Sequence, residues 1–309
     1  MPYQNSFRLF MISAMYENGG NTTHRFLDGH PELQVYPFES QLGNSRCVDF
    51  LSSLYPLKYR YPDFPIGCDA AEYYEMFFDE EYKTVARTRH VSKFRDADFQ
   101  IDEKARKRVF CEILSKQEIT RGKIVAAFFE STFRSWNNQN RSGSETAYVG
   151  YSPVIGFDGD KILSDFPQGH VIHVVRNPWS GFADTCKRPY PLSIERYSMT
   201  WAMMQHHALV FSGRFPDRFH IVRFEDLVAS PRETLGKLCA KLGIAWNDSL
   251  LRPSWNGKAM ESVYPWGTIR TPTTGANLAT MNELSSEQKA IIKAQTSVML
   301  PHFSYESMA

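Results

Sequence analysis

Short runs of bulky apolar residues recur along the chain, separated by stretches in which apolar residues follow helical spacing. Each run is too short to cross a membrane, and its length and content of β-branched or aromatic residues favour a buried strand. The runs predicted as strands are residues 7–15, 34–37, 147–153, 169–176 and 220–224. The stretches predicted as helices are residues 22–27, 122–137, 156–166, 179–185, 194–211 and 231–242.

This alternation of strand and helix predicts an α/β fold, because helical connections of such length can join parallel strands. We expect a single domain over residues 1–309 with a central, mostly parallel sheet flanked by helices. Residues 52–117 break the pattern: turns containing proline lead into charged and aromatic segments without strand alternation. They predict a helical insertion within the domain, placed where it covers the functional site.

Composition narrows the class of protein. With 309 residues, of which 42% are hydrophobic and 22% charged, the chain suits a globular protein with one large core. A formal net charge of +1 argues against a broad nucleic-acid-binding surface. The five cysteines are scattered, without a Cys-x-x-Cys pair, which favours reduced thiols in a cytoplasmic protein and indicates no metal site. We expect neither a signal peptide nor a membrane span.

Candidate chemistry begins in the loop after the first predicted strand, since ligands of open parallel sheets bind beyond the carboxyl ends of the strands. That loop contains Gly19 and Gly20, followed by Asn21, Thr22 and Thr23 at the start of a predicted helix. Adjacent glycines let the backbone approach a ligand closely, and the following residues can cap a helix whose N-terminus attracts anions. The loop predicts a phosphate or sulfate site, although the same residues also suit an ordinary turn.

Three segments, in the right order, resemble the sulfotransferases that use the donor 3′-phosphoadenosine 5′-phosphosulfate (PAPS). Residues 171–178 with 182–185 resemble the family's 3′-phosphate-binding strand and turn. Residues 215–231 resemble its strand followed by an Arg-Phe-Glu-Asp-Leu motif, and residues 27–33 resemble the end of its first helix. The resemblance implies the sulfotransferase fold, which is related to that of nucleotide kinases, and PAPS as a co-substrate without a metal.

For the 3′-phosphate of the donor, the resemblance implies Arg176 at a strand end. A guanidinium can grip a phosphate through two parallel charge-assisted hydrogen bonds. Further donors would come from four neighbours: Ser180, Thr185, Lys187 and Arg188. Asp184 stands where the family commonly has a serine, and we expect its carboxylate to orient Lys187 or Arg188.

For the 5′ end of the donor, the resemblance implies the loop after the first strand. The residues assigned to it are Asn18, Gly19, Gly20, Asn21, Thr22 and Thr23. Glu17 stands where the family usually has a lysine or arginine, so backbone amides, hydroxyl groups, or the cations His24 and Arg25 must neutralise the leaving phosphate. Residues 266–272 resemble the loop that closes over the nucleotide, with Trp266 stacking on adenine and Arg270 contacting a phosphate.

The predicted catalytic base is Glu39, which the resemblance places where sulfotransferases acting on glycans carry a glutamate. A carboxylate at a strand end can accept the proton of the acceptor hydroxyl as its oxygen attacks sulfur. A structural role, bonded to the following turn, is the alternative. His24 is a second catalytic candidate, and His173 is expected to be a hydrogen-bonded core residue because it lies within a predicted buried strand.

Together these features predict transfer of a sulfuryl group from PAPS to a hydroxyl or amine of a small-molecule or glycan acceptor. One alternative is a phosphotransferase, which would need the lysine-bearing P-loop that the sequence lacks. The other is a non-catalytic nucleotide-binding relative, which Glu17 and Asp184 favour. The insertion's aromatic residues suit a ring-bearing acceptor but equally a hydrophobic core: Tyr73, Tyr74, Phe77 and Phe78. The acceptor, the choice between oxygen and nitrogen, and the oligomeric state stay open.

Overall fold

The computed structural model describes residues 7–44, 46, 50–116, 118–260 and 273–308. Its centre is a five-stranded sheet of order β2-β3-β1-β4-β5 in which all neighbouring strands run parallel. The strands are β1 (Leu9–Ala14), β2 (Leu33–Val35), β3 (Ala147–Tyr151), β4 (His170–Val175) and β5 (Phe219–Arg223). The predicted α/β fold with a mostly parallel sheet is therefore confirmed.

The described residues also form twelve α-helices, eight between these strands and four after β5. In sequence order they are α1 (Gly20–Leu27), α2 (Ala70–Met76), α3 (Glu80–Arg87), α4 (Glu103–Ser115), α5 (Arg121–Ser135), α6 (Gly159–Asp165), α7 (Pro178–Thr185), α8 (Ile194–Arg214), α9 (Phe224–Ala229), α10 (Pro231–Leu242), α11 (Thr274–Met281) and α12 (Ser286–Thr296). A two-stranded antiparallel ribbon, β6 (Ser254–Trp255) with β7 (Lys258–Ala259), stands apart from the main sheet. Among the described residues, no helix is both long and apolar enough to span a membrane.

The core lies on both faces of β1, the middle strand of the sheet. Phe10 and Ile12 pack in a cluster with residues of α1 and α10, whereas Leu9 and Met11 pack on the opposite face with α5. Successive side chains of a strand point to opposite faces, and here both faces are covered by helices. This is why the first apolar run is continuous and does not alternate with polar residues.

The predicted insertion is helical and carries α2, α3 and α4, and its described residues add no strand to the main sheet. Tyr73, Tyr74 and Phe77 are buried in the same cluster as α5, and Phe77 packs on Phe128 with ring centroids 4.8 Å apart. These three aromatic residues are core residues, so the alternative interpretation of them as packing residues is the correct one. The position of the insertion over the acceptor site stays a prediction.

A buried ion pair within this insertion is joined to the end of β2 through Tyr36. Arg106 of α4 donates from Nη1 to Asp79 Oδ2 at 2.7 Å, and the Tyr36 hydroxyl donates to Asp79 Oδ1 at 2.6 Å. The guanidinium lies over the rings of Tyr82, at 3.9 Å, and of Phe128, at 4.8 Å. All of these side chains are buried, so the pair and its contacts with Tyr36 and Phe128 hold the insertion against the rest of the domain from inside the core.

Candidate active site

The loop between β1 and α1 has a tight conformation that depends on its two glycines. Gly19 has a φ of 89°, and a Cβ atom on it would lie 2.2 Å from the Phe224 ring. A Cβ atom on Gly20 would lie 2.4 Å from the Tyr151 ring. Glu17 also adopts a positive φ, of 57°. The loop is thus folded closely against β3 and the segment that follows β5.

Asn18 maintains this conformation from inside the protein. Its side-chain nitrogen donates to the Tyr16 carbonyl at 2.7 Å and to the Tyr197 hydroxyl at 3.0 Å. Its side-chain oxygen accepts from the backbone N–H of Arg176 at 3.3 Å and from the Trp201 indole at 3.1 Å. Asn18 is fully buried, so its side chain links the loop to the end of β4 and to α8. Both polar atoms of the Asn18 side chain are bonded within the protein, so the side chain has no unbonded polar atom for the predicted contact with a ligand.

The start of α1 corrects one expectation. The helix begins at Gly20, earlier than residue 22, and its N-cap is Gly19, which makes no side-chain capping bond. The Thr23 hydroxyl instead donates to the Gly19 carbonyl at 3.0 Å, and Thr22 is buried. A glycine in the left-handed conformation replaces the capping side chain that we expected from residues 21–23. The N–H groups of the first turn therefore lack an intrahelical partner, as at any helix start.

Arg176 follows β4 and reaches the β1–α1 loop. Its Nη1 donates to the Glu17 carbonyl at 2.8 Å and to Asp184 Oδ2 at 2.8 Å, and its Nε donates to Asn277 Oδ1 at 2.6 Å. The guanidinium also lies over the Phe224 ring, 5.2 Å from the ring centroid. One buried arginine thus joins the glycine loop, α7 and α11. Two turns that are more than 150 residues apart in sequence meet at this side chain.

Asp184 links Arg176 to a second cation. Its other oxygen accepts from Lys187 Nζ at 2.9 Å, and Lys187 also contacts Glu283 at 2.9 Å. The expected pairing of Asp184 with Lys187 is present, while Arg188 pairs with the Glu17 carboxylate at 3.6 Å. Burial raises the pKa of Glu17, and Arg188 opposes that rise. Three cations at this end of the site are thus each paired with at least one carboxylate: Arg176 with Asp184, Lys187 with Asp184 and Glu283, and Arg188 with Glu17.

The two predicted hydroxyl donors near Arg176 are bonded within the protein. Ser180 Oγ donates to the Asn277 carbonyl at 2.7 Å, and Thr185 Oγ1 donates to the Gly181 carbonyl at 2.9 Å. Both residues are fully buried. Either hydroxyl would have to rotate away from its carbonyl before it could donate to a phosphate.

The Glu225 carboxylate connects three side chains that lie next to this end of the site. Its Oε1 accepts from the Asn177 side chain at 2.8 Å and from the Asn277 side chain at 3.1 Å. Its Oε2 accepts from the Tyr305 hydroxyl at 2.5 Å. A chain of hydrogen bonds therefore runs from the C-terminal segment through Glu225 and Asn277 to the guanidinium of Arg176.

Glu39 lies beyond the end of β2, in contact with the insertion. Its backbone N–H donates to Glu81 Oε2 at 2.9 Å, and Glu81 Oε1 is 2.5 Å from Lys93 Nζ. Burial raises the pKa of Glu39 to about 7, the Glu81 carboxylate adds to the rise, and Lys93 and Gln41 oppose it. A carboxylate with such a pKa exchanges its proton near neutral pH, which suits a general base.

A small polar cavity joins Glu39 to the first turn of α1. It is lined by residues of the loop, the helix and the insertion: Asn21, His24, Arg25, Pro37, Phe38, Glu39, Glu81, Lys93 and Phe94. The predicted base and the predicted anion-binding helix start therefore face the same space. Sequence spacing had placed both at the sheet rim, and the structure brings them together.

The catalytic candidate His24 and the expected core histidine His173 are both buried. His24 is buried, with Nδ1 2.7 Å from Arg25 Nη2. Burial, followed by the Arg25 guanidinium, lowers the pKa of His24 well below its usual value, so the ring is neutral at neutral pH. His173 is fully buried and pairs with Gln205 Oε1 at 2.9 Å, which confirms the expected core histidine.

Several residues of this site escaped sequence reasoning. Glu81 and Lys93 come from the insertion, and Asn277 comes from α11; none lies in a motif or at a strand end. The charged character of the insertion was a weak signal for the first two, and the sequence held none for Asn277. The predicted adenine and phosphate contacts of Trp266 and Arg270 lie outside the described residues. Among the described residues, no group of three or more potential metal ligands is present.

Comparisons with known proteins bear on the fold and the family of this chain. A search of solved structures finds the sulfotransferase domain from the curacin biosynthetic pathway at 17% identity, covering 97% of this chain and 98% of that chain with a TM-score of 0.55. It also finds the sulfotransferase domain of the Synechococcus PCC 7002 olefin synthase at 17% identity, covering 99% and 97% with a TM-score of 0.56. At such identities the likeness shows the fold alone. A search of curated proteins finds no match.

A profile of the sulfotransferase family matches residues 18–248, which include the glycine loop, Glu39 and Arg176. The matched region is about three quarters of the chain. The chain therefore belongs to the sulfotransferase family.

Proposed function

We propose that the protein transfers a sulfuryl group from PAPS to a hydroxyl or amine of a small-molecule or glycan acceptor. The observation that carries this proposal is the contact of Arg176 Nη1 with the Glu17 carbonyl, at 2.8 Å. It sets a strand-end guanidinium beside a glycine loop and a helix N-terminus, two anion-binding elements of different kinds. A nucleotide with phosphate groups at both its 3′ and 5′ positions needs two such elements.

In the bound state, the first-turn amides of α1 would hold the 5′-phosphate and sulfuryl group. Arg176, Lys187 and Arg188 would hold the 3′-phosphate, with Trp266 and Arg270 closing over the nucleotide. Asp184 now accepts a hydrogen bond from the Arg176 nitrogen that the phosphate would use. Nucleotide binding therefore requires the Asp184 carboxylate to withdraw or to share that nitrogen.

The reaction follows from the placement of Glu39. The acceptor oxygen or nitrogen attacks sulfur in line with the departing phosphate oxygen, and Glu39 takes the acceptor proton. The pKa of Glu39, raised by burial to about 7, makes the carboxylate a stronger base than an exposed glutamate. The helix amides stabilise the charge that accumulates on the leaving phosphate.

We further propose that residues 52–117 cover the acceptor site, since Glu81 and Lys93 of this segment line the cavity next to Glu39.

A cytoplasmic location remains part of the proposal. Among the described residues, four cysteines are free, which suits a reducing compartment: Cys68, Cys111, Cys186 and Cys239.

The test measures binding of 3′-phosphoadenosine 5′-phosphate (PAP) by calorimetry and release of PAP from PAPS with a panel of sugar, phenol and amine acceptors. Wild type should bind PAP and turn over at least one acceptor class, and Glu39→Gln should keep binding but lose turnover. Arg232→Ala, which removes an exposed arginine paired with Asp248, serves as the matched control. A wild-type protein that binds no PAP contradicts the proposal; binding without turnover on any acceptor favours the non-catalytic relative.

A further inference from the structure

The leaving group of the proposed reaction needs a positive charge that the β1–α1 loop does not contain. As the bond between sulfur and the 5′-phosphate oxygen breaks, its electron pair stays on that oxygen, while a new bond joins sulfur to the acceptor. The acceptor proton goes to Glu39, so the departing phosphate gains a negative charge. Loop residues 15–19 include one ionisable acid, Glu17, and no lysine or arginine.

The cations on the nearby elements are already engaged. His24 is neutral because burial lowers its pKa. Arg25 is buried, bonds the His24 ring at 2.7 Å and lies over the Trp255 ring at 5.1 Å. Arg188 pairs with the Glu17 carboxylate at 3.6 Å and lies over the Tyr16 ring. His24 therefore carries no charge to offer, and the two arginines each pair with or pack on a group of the protein itself.

Lys93 is also ion-paired, but it differs from them in position and in the kind of side chain. It lines the same cavity as Asn21 of the first helical turn and Glu39. Its side chain is 49% exposed, and its ammonium is 2.5 Å from Glu81 Oε1 and 5.0 Å from the Phe94 ring centroid. A lysine ammonium is a compact charge on a flexible four-carbon stem, so it can exchange one anionic partner for another.

Glu81 positions this lysine relative to the predicted base. Its Oε2 accepts from the Glu39 backbone N–H at 2.9 Å while its Oε1 pairs with Lys93. One carboxylate thereby links the insertion's cation to the backbone of Glu39. An incoming 5′-phosphosulfate carries more negative charge than Glu81, and it would enter beside the α1 N-terminus, across the same cavity.

We propose that Lys93 is a catalytic residue whose ammonium moves from Glu81 to the 5′-phosphosulfate and supplies the positive charge that the β1–α1 loop lacks. The proposal rests on the proposed function, because it assumes a donor bound with its 5′ end at the start of α1. It assigns the insertion a direct part in chemistry in addition to covering the acceptor. Glu81 then acts as a positioning residue that holds the lysine until the donor arrives.

The experiment compares two nucleotides that differ only at the 5′ end: PAP and adenosine 3′-phosphate. Lys93→Met should weaken PAP binding roughly ten- to hundredfold, the range for loss of one charged hydrogen bond, and leave adenosine 3′-phosphate binding within about twofold. Turnover of PAPS should fall about a hundredfold or more, as when one donor to a developing oxyanion is removed. Lys93→Arg, which keeps the charge, should recover most of the PAP affinity.

The matched control is Lys107→Met, which removes another insertion lysine paired with a glutamate, Glu75, at 2.8 Å. It should change neither nucleotide's affinity. Equal weakening of both nucleotides by Lys93→Met, or unchanged PAP binding and turnover, overturns the role of Lys93 while leaving the proposed function in place. A wild-type protein that binds neither nucleotide instead defeats the proposed function itself, and the two failures are therefore distinguishable.

Discussion

Arg106 and Arg176 are two buried arginines, each paired with an aspartate, yet their surroundings differ. Arg106 pairs with Asp79 at 2.7 Å, and the side chains of both are 2% exposed. Arg176 pairs with Asp184 at 2.8 Å, and the Asp184 side chain is 27% exposed. Aromatic rings enclose the guanidinium of Arg106, whereas a backbone carbonyl, an amide and a partly exposed carboxylate surround that of Arg176.

The difference teaches how to separate a structural arginine from one that can bind a ligand. The partners of Arg106 are all buried, and replacing Asp79 would leave an unpaired charge in the core. At Arg176, one partner faces solvent at the carboxyl end of a parallel strand, where a phosphate could take its place. A buried ion pair alone does not indicate ligand binding; the solvent-accessible partner is what makes Arg176 the candidate.

The largest expected effect is the loss of protein stability when the structural arginine, Arg106, is replaced. Arg106→Met should lower the free energy of unfolding by about 3–5 kcal/mol, because it leaves the Asp79 carboxylate buried without its cation. Urea denaturation followed by circular dichroism measures this change. The double variant Arg106→Met with Asp79→Asn should recover part of the loss. A variant as stable as wild type would remove the distinction between the two arginines.

Next in size is the effect of Arg176 on binding. Arg176→Ala should weaken PAP binding by about a hundredfold, since a guanidinium bonded to a phosphate contributes roughly 1.5–3 kcal/mol. Calorimetry with PAP checks this, and adenosine 5′-phosphate, which lacks the 3′-phosphate, should lose far less affinity. Equal losses for both nucleotides would mean that Arg176 acts only through the shape of the glycine loop.

A third prediction concerns Glu39, whose pKa is raised by burial and by the neighbouring Glu81 carboxylate. Since Glu39 must be ionised to accept a proton, kcat/KM should rise with pH through about 7, the raised pKa of Glu39. Between pH 6 and pH 8 the rise should be about tenfold.

Glu81→Gln provides the internal test of that pH profile. The Glu81 carboxylate is one cause of the raised pKa, so its removal should shift the midpoint of the profile to lower pH. The rate would then vary less between pH 6 and pH 8 than in wild type. A midpoint that stays in place would show that Glu81 does not act on the group that titrates.

The smallest effect concerns the exposed partner itself. Asp184→Asn removes the negative charge that competes with a phosphate for Arg176 Nη1, and it should tighten PAP binding by about fivefold, or roughly 1 kcal/mol. Asp226→Asn, which changes an exposed aspartate paired with Arg223, is the control. Weaker PAP binding in Asp184→Asn would show that the carboxylate positions Arg176 for the nucleotide and does not compete with it.

Much of the fold could be predicted because its signals are local. A central strand such as β1 needs apolar residues on both faces, and that requirement is visible as a continuous run. The start of α1 was misjudged because polar residues 21–23 suit a cap, while the actual cap at Gly19 depends on contact with Phe224. Such a contact joins segments some 200 residues apart, and no local pattern records it.

The site shows the same division. Arg176 and Glu39 stand at strand ends, where a parallel sheet gathers ligand-binding groups, so their positions followed from the order of elements. Lys93 and Asn277 reach the site through the packing of helices and loops, which depends on side-chain shape. The directions of the Ser180 and Thr185 hydroxyls could not be predicted from the sequence either, because a hydroxyl donates to whichever acceptor the fold brings near it.

The hydrogen bonds behind Arg176 connect Tyr305 to the proposed nucleotide site. Tyr305 bonds Glu225, Glu225 bonds Asn277, and Asn277 bonds the guanidinium. Removing the Tyr305 hydroxyl would break the first of these bonds and leave the Arg176 guanidinium less firmly oriented. Changes at Tyr305, distant from Arg176 in sequence, therefore belong among the variables to be controlled in any measurement of donor affinity.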